Sequence, residues 1–219
     1  MLSIATVMKA LYKARMSFIP RLRVQGLRSA LAGPFDLHVD AGECVVLMGK
    51  SGAGKTVLLR LIADLDPPRA GVVELDGARR ERLSGPGWRR RVIYQPAEPA
   101  WWSPVVSQHF EGADTDKLRS MIAALGLPGA ILDAELMHLS TGERQRLALV
   151  RSLSRAPSVL LLDEPTAALD PASTLAYETV LAEETAKGTA VLWVTHSQEQ
   201  AGRVGHRCLT VTDRALQSA

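Results

Sequence analysis

The sequence predicts an α/β domain built on a largely parallel, covered sheet. Three observations carry that prediction. The runs Cys44–Met48, Val159–Leu162 and Ala190–Val194 are continuously apolar, as strands buried on both faces require. Amphipathic helix patterns separate these runs, and strands alternating with helices indicate parallel pairing through crossovers. The 219 residues, 47% apolar and 22% charged, fit one domain of ordinary size that buries roughly 70% of the surface its unfolded chain exposes.

Residues 1–17 stand apart. Ile4, Val7, Met8, Leu11 and Tyr12 recur on one helical face, flanked by Lys9, Lys13 and Arg15. A membrane-surface helix, a helix docked on a partner and an extension upstream of a start at Met16 all fit this pattern. The extension is preferred, because the recognisable domain, 18–219, begins just after Met16. Leu22–Val24 and Phe35–Val39 alternate as half-exposed antiparallel strands. Lys55–Ala63 reads as a helix ended by Asp66-Pro67-Pro68, since proline lacks the donor a helix needs. Gly71–Leu75 is a strand leading into an Asp76-Gly77 turn, and Val92–Tyr94 is a further short strand. From about 98 to 155 the pattern turns helical, with segments at Asp116–Leu125 and Ala130–Met137, and reads as a small inserted helical subdomain. Pro171–Glu184 is a helix opened by proline. Gln198–Val204 and Cys208–Val211 close the chain as helix and strand.

The net charge of +3 is too small to indicate nucleic acid. It is unevenly spread: Lys9, Lys13, Arg15, Arg21, Arg23 and Arg28 precede the first acid. Arg89, Arg90 and Arg91 form a second basic cluster, and both clusters read as solvated faces. Cys44 and Cys208 lie in apolar runs and read as buried free thiols of a reducing compartment. No run of about 18 uncharged apolar residues occurs, so no segment is expected to span a membrane.

Gly49-Lys50-Ser51-Gly52-Ala53-Gly54-Lys55-Thr56 follows a buried strand and opens a helix. Glycines there let backbone N–H groups curl round a phosphate, and the helix N-terminus adds partial positive charge. Lys55 has the reach for β- and γ-phosphates, and the Thr56 hydroxyl can ligate Mg²⁺. Val57 completes the expected nucleotide-binding stretch. The strand Val159–Leu162 ends in Asp163 and Glu164. Asp163 is expected at the strand's C-terminal edge beside the cradle, holding Mg²⁺ through water. Glu164 has the reach to orient and deprotonate an attacking water, which indicates hydrolysis rather than transfer to a bound acceptor.

Between cradle and acidic strand lies Leu139-Ser140-Thr141-Gly142-Glu143-Arg144-Gln145-Arg146, ahead of an apolar-periodic helix. It resembles the L-S-G-G-Q signature of ATP-binding cassette (ABC) proteins. Gln95 at a strand end matches that family's Q-loop, Ala168-Leu169-Asp170 its D-loop, and Val194-Thr195-His196 its switch histidine. The motifs stand in the family's order and span Leu22 to about Val211.

The resemblance implies the P-loop NTPase fold of an ABC nucleotide-binding domain. That fold has a mostly parallel central sheet, an antiparallel β edge subdomain and a short helical insertion. It implies ATP and Mg²⁺ as cofactors and a head-to-tail dimer of cassettes. ATP in one cradle would be closed over by Ser140 and Gly142 of the other copy, with Asp170 counted among the nucleotide-binding residues. His196 would contact the γ-phosphate and help position Glu164 and water. Gln95 would sense the γ-phosphate and Mg²⁺ and link them to the helical insertion.

The resemblance further implies a partner, a separate membrane permease, with the chain peripheral at the cytoplasmic face of the plasma membrane and no nucleic acid bound. Its compact length, Leu192-Trp193-Val194-Thr195-His196 and the signature look similar to bacterial cassettes of iron-export and metal-resistance transporters. The rival is a soluble cassette ATPase acting on nucleic acid or ribosomes; such relatives carry coiled-coil insertions or a second cassette. Pro96–Trp102, with its adjacent tryptophans, reads as a permease contact or as local packing. Several positions depart from the family. Thr141 and Glu143 replace glycine and glutamine in the signature, Val57 replaces a hydroxyl, and Ser197 replaces aspartate. Residues 28–34 offer no aromatic to stack adenine, so weak base discrimination is expected.

Overall fold

The computed structural model describes residues 19–212 and 215–218. The helix expected over 1–17 lies outside them. Two sheets organise the described residues. The first is antiparallel, from β1 (Leu22–Arg28), β2 (Phe35–Val39), β4 (Ala70–Leu75) and β5 (Ala78–Arg79), ordered β2-β1-β4-β5. The second orders β10 (Ala215–Ser218), β9 (Arg207–Thr212), β3 (Cys44–Met48), β8 (Ala190–Val194), β7 (Val159–Asp163) and β6 (Val92–Gln95). Its strands are parallel except β10, which runs antiparallel to β9.

The burial patterns follow the residues. β2 alternates buried and exposed, whereas β7 and β8 are buried throughout, as their unbroken apolar sequences require. Among the described residues six helices cover these sheets: α1 (Lys55–Ile62), α2 (Gly85–Arg91), α3 (Thr115–Ala124), α4 (Thr141–Leu153), α5 (Pro171–Ala186) and α6 (Gln198–Val204). One core packs α1 and the antiparallel sheet on one face of the parallel sheet, through Phe35, Leu58, Ile62 and Leu161. The other packs α3, α4 and α5 on the opposite face, through Ile122, Leu149, Tyr177, Leu162 and Trp193.

Two helix expectations need correction. The helix from Lys55 ends at Ile62, before the prolines, because Asp64 turns left-handed at φ 60°. Ala130–Met137 is no continuous helix: it holds two 3₁₀ turns, Gly129–Asp133 and Leu136–His138, parted where Glu135 bridges Val105. Gly85–Arg91, unread in the sequence, is a helix capped by Ser84 and anchored by buried Trp88, whose Nε1 donates to the Ile62 carbonyl at 2.9 Å. The cluster after Trp88 is a solvated face, as expected, with surface ion pairs from Arg89 to Asp64 at 3.3 Å and from Arg91 to Asp76 at 2.8 Å. Of the two free thiols, Cys44 is buried and its pKa is pushed up to about 12, mainly by that burial; Cys208 is half-buried.

Candidate active site

The strand β3 runs straight into the glycine-rich loop, and the loop into α1. Gly49 has φ 139°, and a Cβ there would stand 2.4 Å from the Val211 carbonyl oxygen, so only glycine fits. Gly54 caps α1 at φ 104°, a left-handed conformation that costs other residues about 1–2 kcal/mol. Among the described residues no side chain caps α1, so its first N–H groups face the loop. Lys55 is buried, and its Nζ donates to the Gly49 and Lys50 carbonyls at 2.7 and 3.0 Å. Burial lowers its pKa, against the pull of Glu164 and Asp163.

Asp163 ends β7 as a buried carboxylate. Its Oδ2 accepts the Thr56 hydroxyl at 2.8 Å and the Tyr94 hydroxyl at 3.0 Å. Tyr94 is a site residue that sequence reasoning misses, because an aromatic in an apolar strand reads as core. Its position just before Gln95 is the available signal. Burial first, and then Asp163, raise the Tyr94 pKa, so the phenol remains a donor.

Glu164 leaves the strand at φ 49°, a conformation that costs a non-glycine residue on the order of 1–3 kcal/mol. Its N–H is tied to the Val194 carbonyl at 3.1 Å. The turn aims its carboxylate at His196, whose Nε2 lies 2.9 Å from Glu164 Oε1. Ser51, Gly52, Gly54, Lys55, Thr56 and Val57 share one cleft of about 160 Å³ with Glu164 and His196. Lys50 and Ala53 line an adjoining hollow with Thr210–Thr212.

Ser140, Gly142 and Asp170 do not line that cleft. Ser140 and Glu143 form a capping box at α4. The N–H and hydroxyl of Ser140 donate to Glu143 Oε2 at 2.8 and 2.7 Å, and Ser140 Oγ accepts the Glu143 N–H at 3.2 Å. These bonds hold the Glu143 pKa below its usual value. A Cβ on Gly142 would meet the Ala168 carbonyl at 3.3 Å and Leu169 at 3.4 Å, so the signature abuts the D-loop. Asp170 caps α5, accepting the Ser173 N–H at 2.9 Å; the Ser173 side chain first, and then that N–H, lower its pKa.

Among the described residues the structure does not bring Gln95 to Thr56 and Asp163. Side chains alternate along β6, and Tyr94 takes the Asp163 side. Gln95 therefore faces the opposite core, in register with Leu162 and, through it, Trp193. Around the base site, Phe35 is fully buried under Gly54, whereas Leu31 is 64% exposed. The tryptophans divide their roles. Trp101 packs against the second core, Trp102 is 65% exposed, and Arg151 lies 4.3 and 5.0 Å from their ring centroids.

A family model described as ABC transporter matches residues 33–167. An aliphatic sulfonates import ATP-binding protein of Rhodococcus jostii, SsuB 1, is 40% identical over 187 residues, 83% of this chain and 73% of its own length. SsuB 2 of Agrobacterium fabrum, named for the same import, is 36% identical over 179 residues, 80% and 68% of the two chains. A solved structure described as the ATP binding subunit of an ABC transporter superposes with TM-score 0.81 at 25% identity, covering 90% of this chain and 89% of its own. The expected likeness to iron-export and metal-resistance cassettes finds no support in these relatives. The fold expectation holds: the parallel sheet, antiparallel sheet and loop-to-helix cradle are those of an ABC cassette. The chain belongs to the ABC transporter family, as an ATP-binding subunit that hydrolyses ATP.

Proposed function

We propose that this chain energises a separate membrane permease, as one of two cassettes that close head-to-tail over ATP. One observation carries the reading: the site is divided. Lys55, Thr56, Glu164 and His196 share a cleft, while Ser140 and Gly142 gather elsewhere against the D-loop. A second copy supplies the missing wall, placing the N-terminus of α4 and its Ser140 against the γ-phosphate.

The residues then divide the work. Lys55 exchanges its two carbonyl partners for phosphate oxygens. Loop N–H groups and the α1 terminus stabilise the remaining charge. The Thr56 hydroxyl and the buried Asp163 carboxylate are hard oxygen donors that suit Mg²⁺ alongside phosphate and water. When bound there, Mg²⁺ would neutralise charge on the β- and γ-phosphates. Glu164 takes the proton of a water whose oxygen attacks the γ-phosphorus, and the bond to the ADP oxygen breaks. His196 Nε2–H orients that carboxylate. Ser140 must give up its bond to Glu143 to donate to phosphate.

The exposed Trp102, close after Gln95, offers a contact for the permease at the cytoplasmic face of the plasma membrane. Among the described residues no helix is long and apolar enough to cross a membrane. For the cargo, relatives named for aliphatic sulfonate import support import over metal export. The test is partner capture. Tagged Glu164→Gln chain is recovered from mildly solubilised native membranes with ATP and Mg²⁺. A co-purifying polytopic membrane protein is expected. Ribosomes, nucleic acid or soluble proteins alone would overturn the permease reading.

A further inference from the structure

Glu164 and His196 meet at 2.9 Å, yet both side chains are open to solvent, where such a pair fixes little orientation of its own. What holds the two segments lies beneath them. Gln200 of α6 is 5% exposed and does not line the cleft shared by Lys55 and Thr56. Its Oε1 accepts the hydroxyl of Thr195, the residue before His196, at 2.8 Å. Its Nε2 donates to the hydroxyl oxygen of Thr166, two residues after Glu164, and to Glu178 Oε1 of α5, each at 2.9 Å. Thr195 and Glu178 are themselves buried, and Arg203 holds Glu178 through two bonds of 2.9 Å. The Thr195 hydroxyl oxygen also accepts the Ser197 N–H at 3.1 Å, so the backbone on both sides of His196 is tied to one carboxamide.

The chemistry of this bridge is specific. A carboxylate only accepts, so Nε2 must face Glu178 and Oε1 must face Thr195. Methionine at this position keeps the length and loses every bond. Glutamate keeps the shape and sets a second carboxylate against Glu178, which like charges resist.

We propose that Gln200 is a positioning residue for ATP hydrolysis: its carboxamide bridges Thr166 and Thr195 and so sets the separation of Glu164 and His196. The inference rests on the reading of that pair as the base and its orienting partner. The phosphate cradle is built from β3 and α1, which Gln200 does not touch through these bonds, so its work falls on turnover rather than on nucleotide binding. A misplacement of about 1 Å at a reacting group costs on the order of 100-fold in rate.

The experiment measures kcat for MgATP and Kd for MgADP on the full chain, with thermal melting to report folding. Gln200→Met is expected to lower kcat about 10- to 100-fold and to move the MgADP Kd less than about two-fold. Thr166→Val removes one arm of the bridge at a half-buried site and is expected to lower kcat by a smaller factor; it carries the test if the methionine variant melts early. The decisive comparison is an exchange. Gln200→Glu alone is expected to slow turnover as far as Gln200→Met. Adding Glu178→Gln swaps amide and carboxylate, restores a donor between them, and is expected to return kcat to within about three-fold of the parent. An exchange that folds and stays slow, or a Gln200→Met that weakens MgADP as much as it slows turnover, would make Gln200 merely structural and overturn the inference. If His196→Ala slows turnover while Gln200→Met does not, the reading of the pair stands and this inference alone falls. If His196→Ala leaves kcat unchanged, both fall.

Discussion

Asp163 Oδ2 accepts two hydroxyls at once, from Thr56 and Tyr94. Thr56 can turn toward Mg²⁺ and phosphate, which leaves Tyr94 as the anchor that keeps the carboxylate aimed. Tyr94→Phe is therefore expected to raise the half-saturating Mg²⁺ for nucleotide binding on the order of 10-fold, as loss of an outer partner of a metal ligand does. A Mg²⁺ titration at fixed ATP checks this; an unchanged midpoint would contradict it. The base site makes a second prediction. With Leu31 exposed and Phe35 buried, no aromatic of the 28–35 segment is free to stack a purine. ATP and GTP should be turned over at about equal kcat/KM, within the few-fold that lost stacking leaves; a strong ATP preference would refute it. The phosphate residues were legible because a loop that wraps an anion needs glycines, lysine and threonine at fixed spacing in one stretch. Tyr94 was not, because its role arises from a partner 69 residues away.

At the scale of elements, short helices owe their places to one buried side chain each. α2 reads poorly, with two glycines and a proline, yet forms because Trp88 fills the core beneath α1. α6 is seven residues long and is held by Glu178 of α5, which accepts Gln200 Nε2 and Arg203 Nε and Nη2, each at 2.9 Å. Burial raises the Glu178 pKa, but the bonds from Arg203 and Gln200 outweigh it, and the net shift is downward. A carboxylate depressed in the folded state stabilises above its unfolded pKa of about 4.3, and that contribution fades as pH falls through the lower folded value. Tm should therefore drop on acidification below about pH 4.5, and Glu178→Gln should lower Tm at pH 7 and flatten the acid limb. Melts from neutral to acid pH check both; a limb as steep as the parent's would contradict the assignment. The start of α5 at Pro171 was visible in the sequence, but the burial of Glu178 was not, since a glutamate in a helix ordinarily reads as exposed.

For the whole molecule, the apolar runs announced the parallel sheet, and the order of motifs announced the family. Strand order was not legible, because β3 pairs with β8 and β9 across more than a hundred residues. Nor was the face on which Gln95 lies: a strand end permits either. What the fold adds is the separation of the chemistry. Nucleotide, metal and water residues sit at one end of β3 and β7, while the signature and D-loop meet elsewhere. On the proposed reading, a single chain holds both halves of a site that only a second copy can close. The most direct measurement is the solution mass of the full-length Glu164→Gln chain, by sizing with light scattering at saturating MgATP. The account predicts a dimer with MgATP, a monomer with MgADP, and a monomer with MgATP when Lys55→Ala is added. A monomer at saturating MgATP, with nucleotide bound, would contradict it.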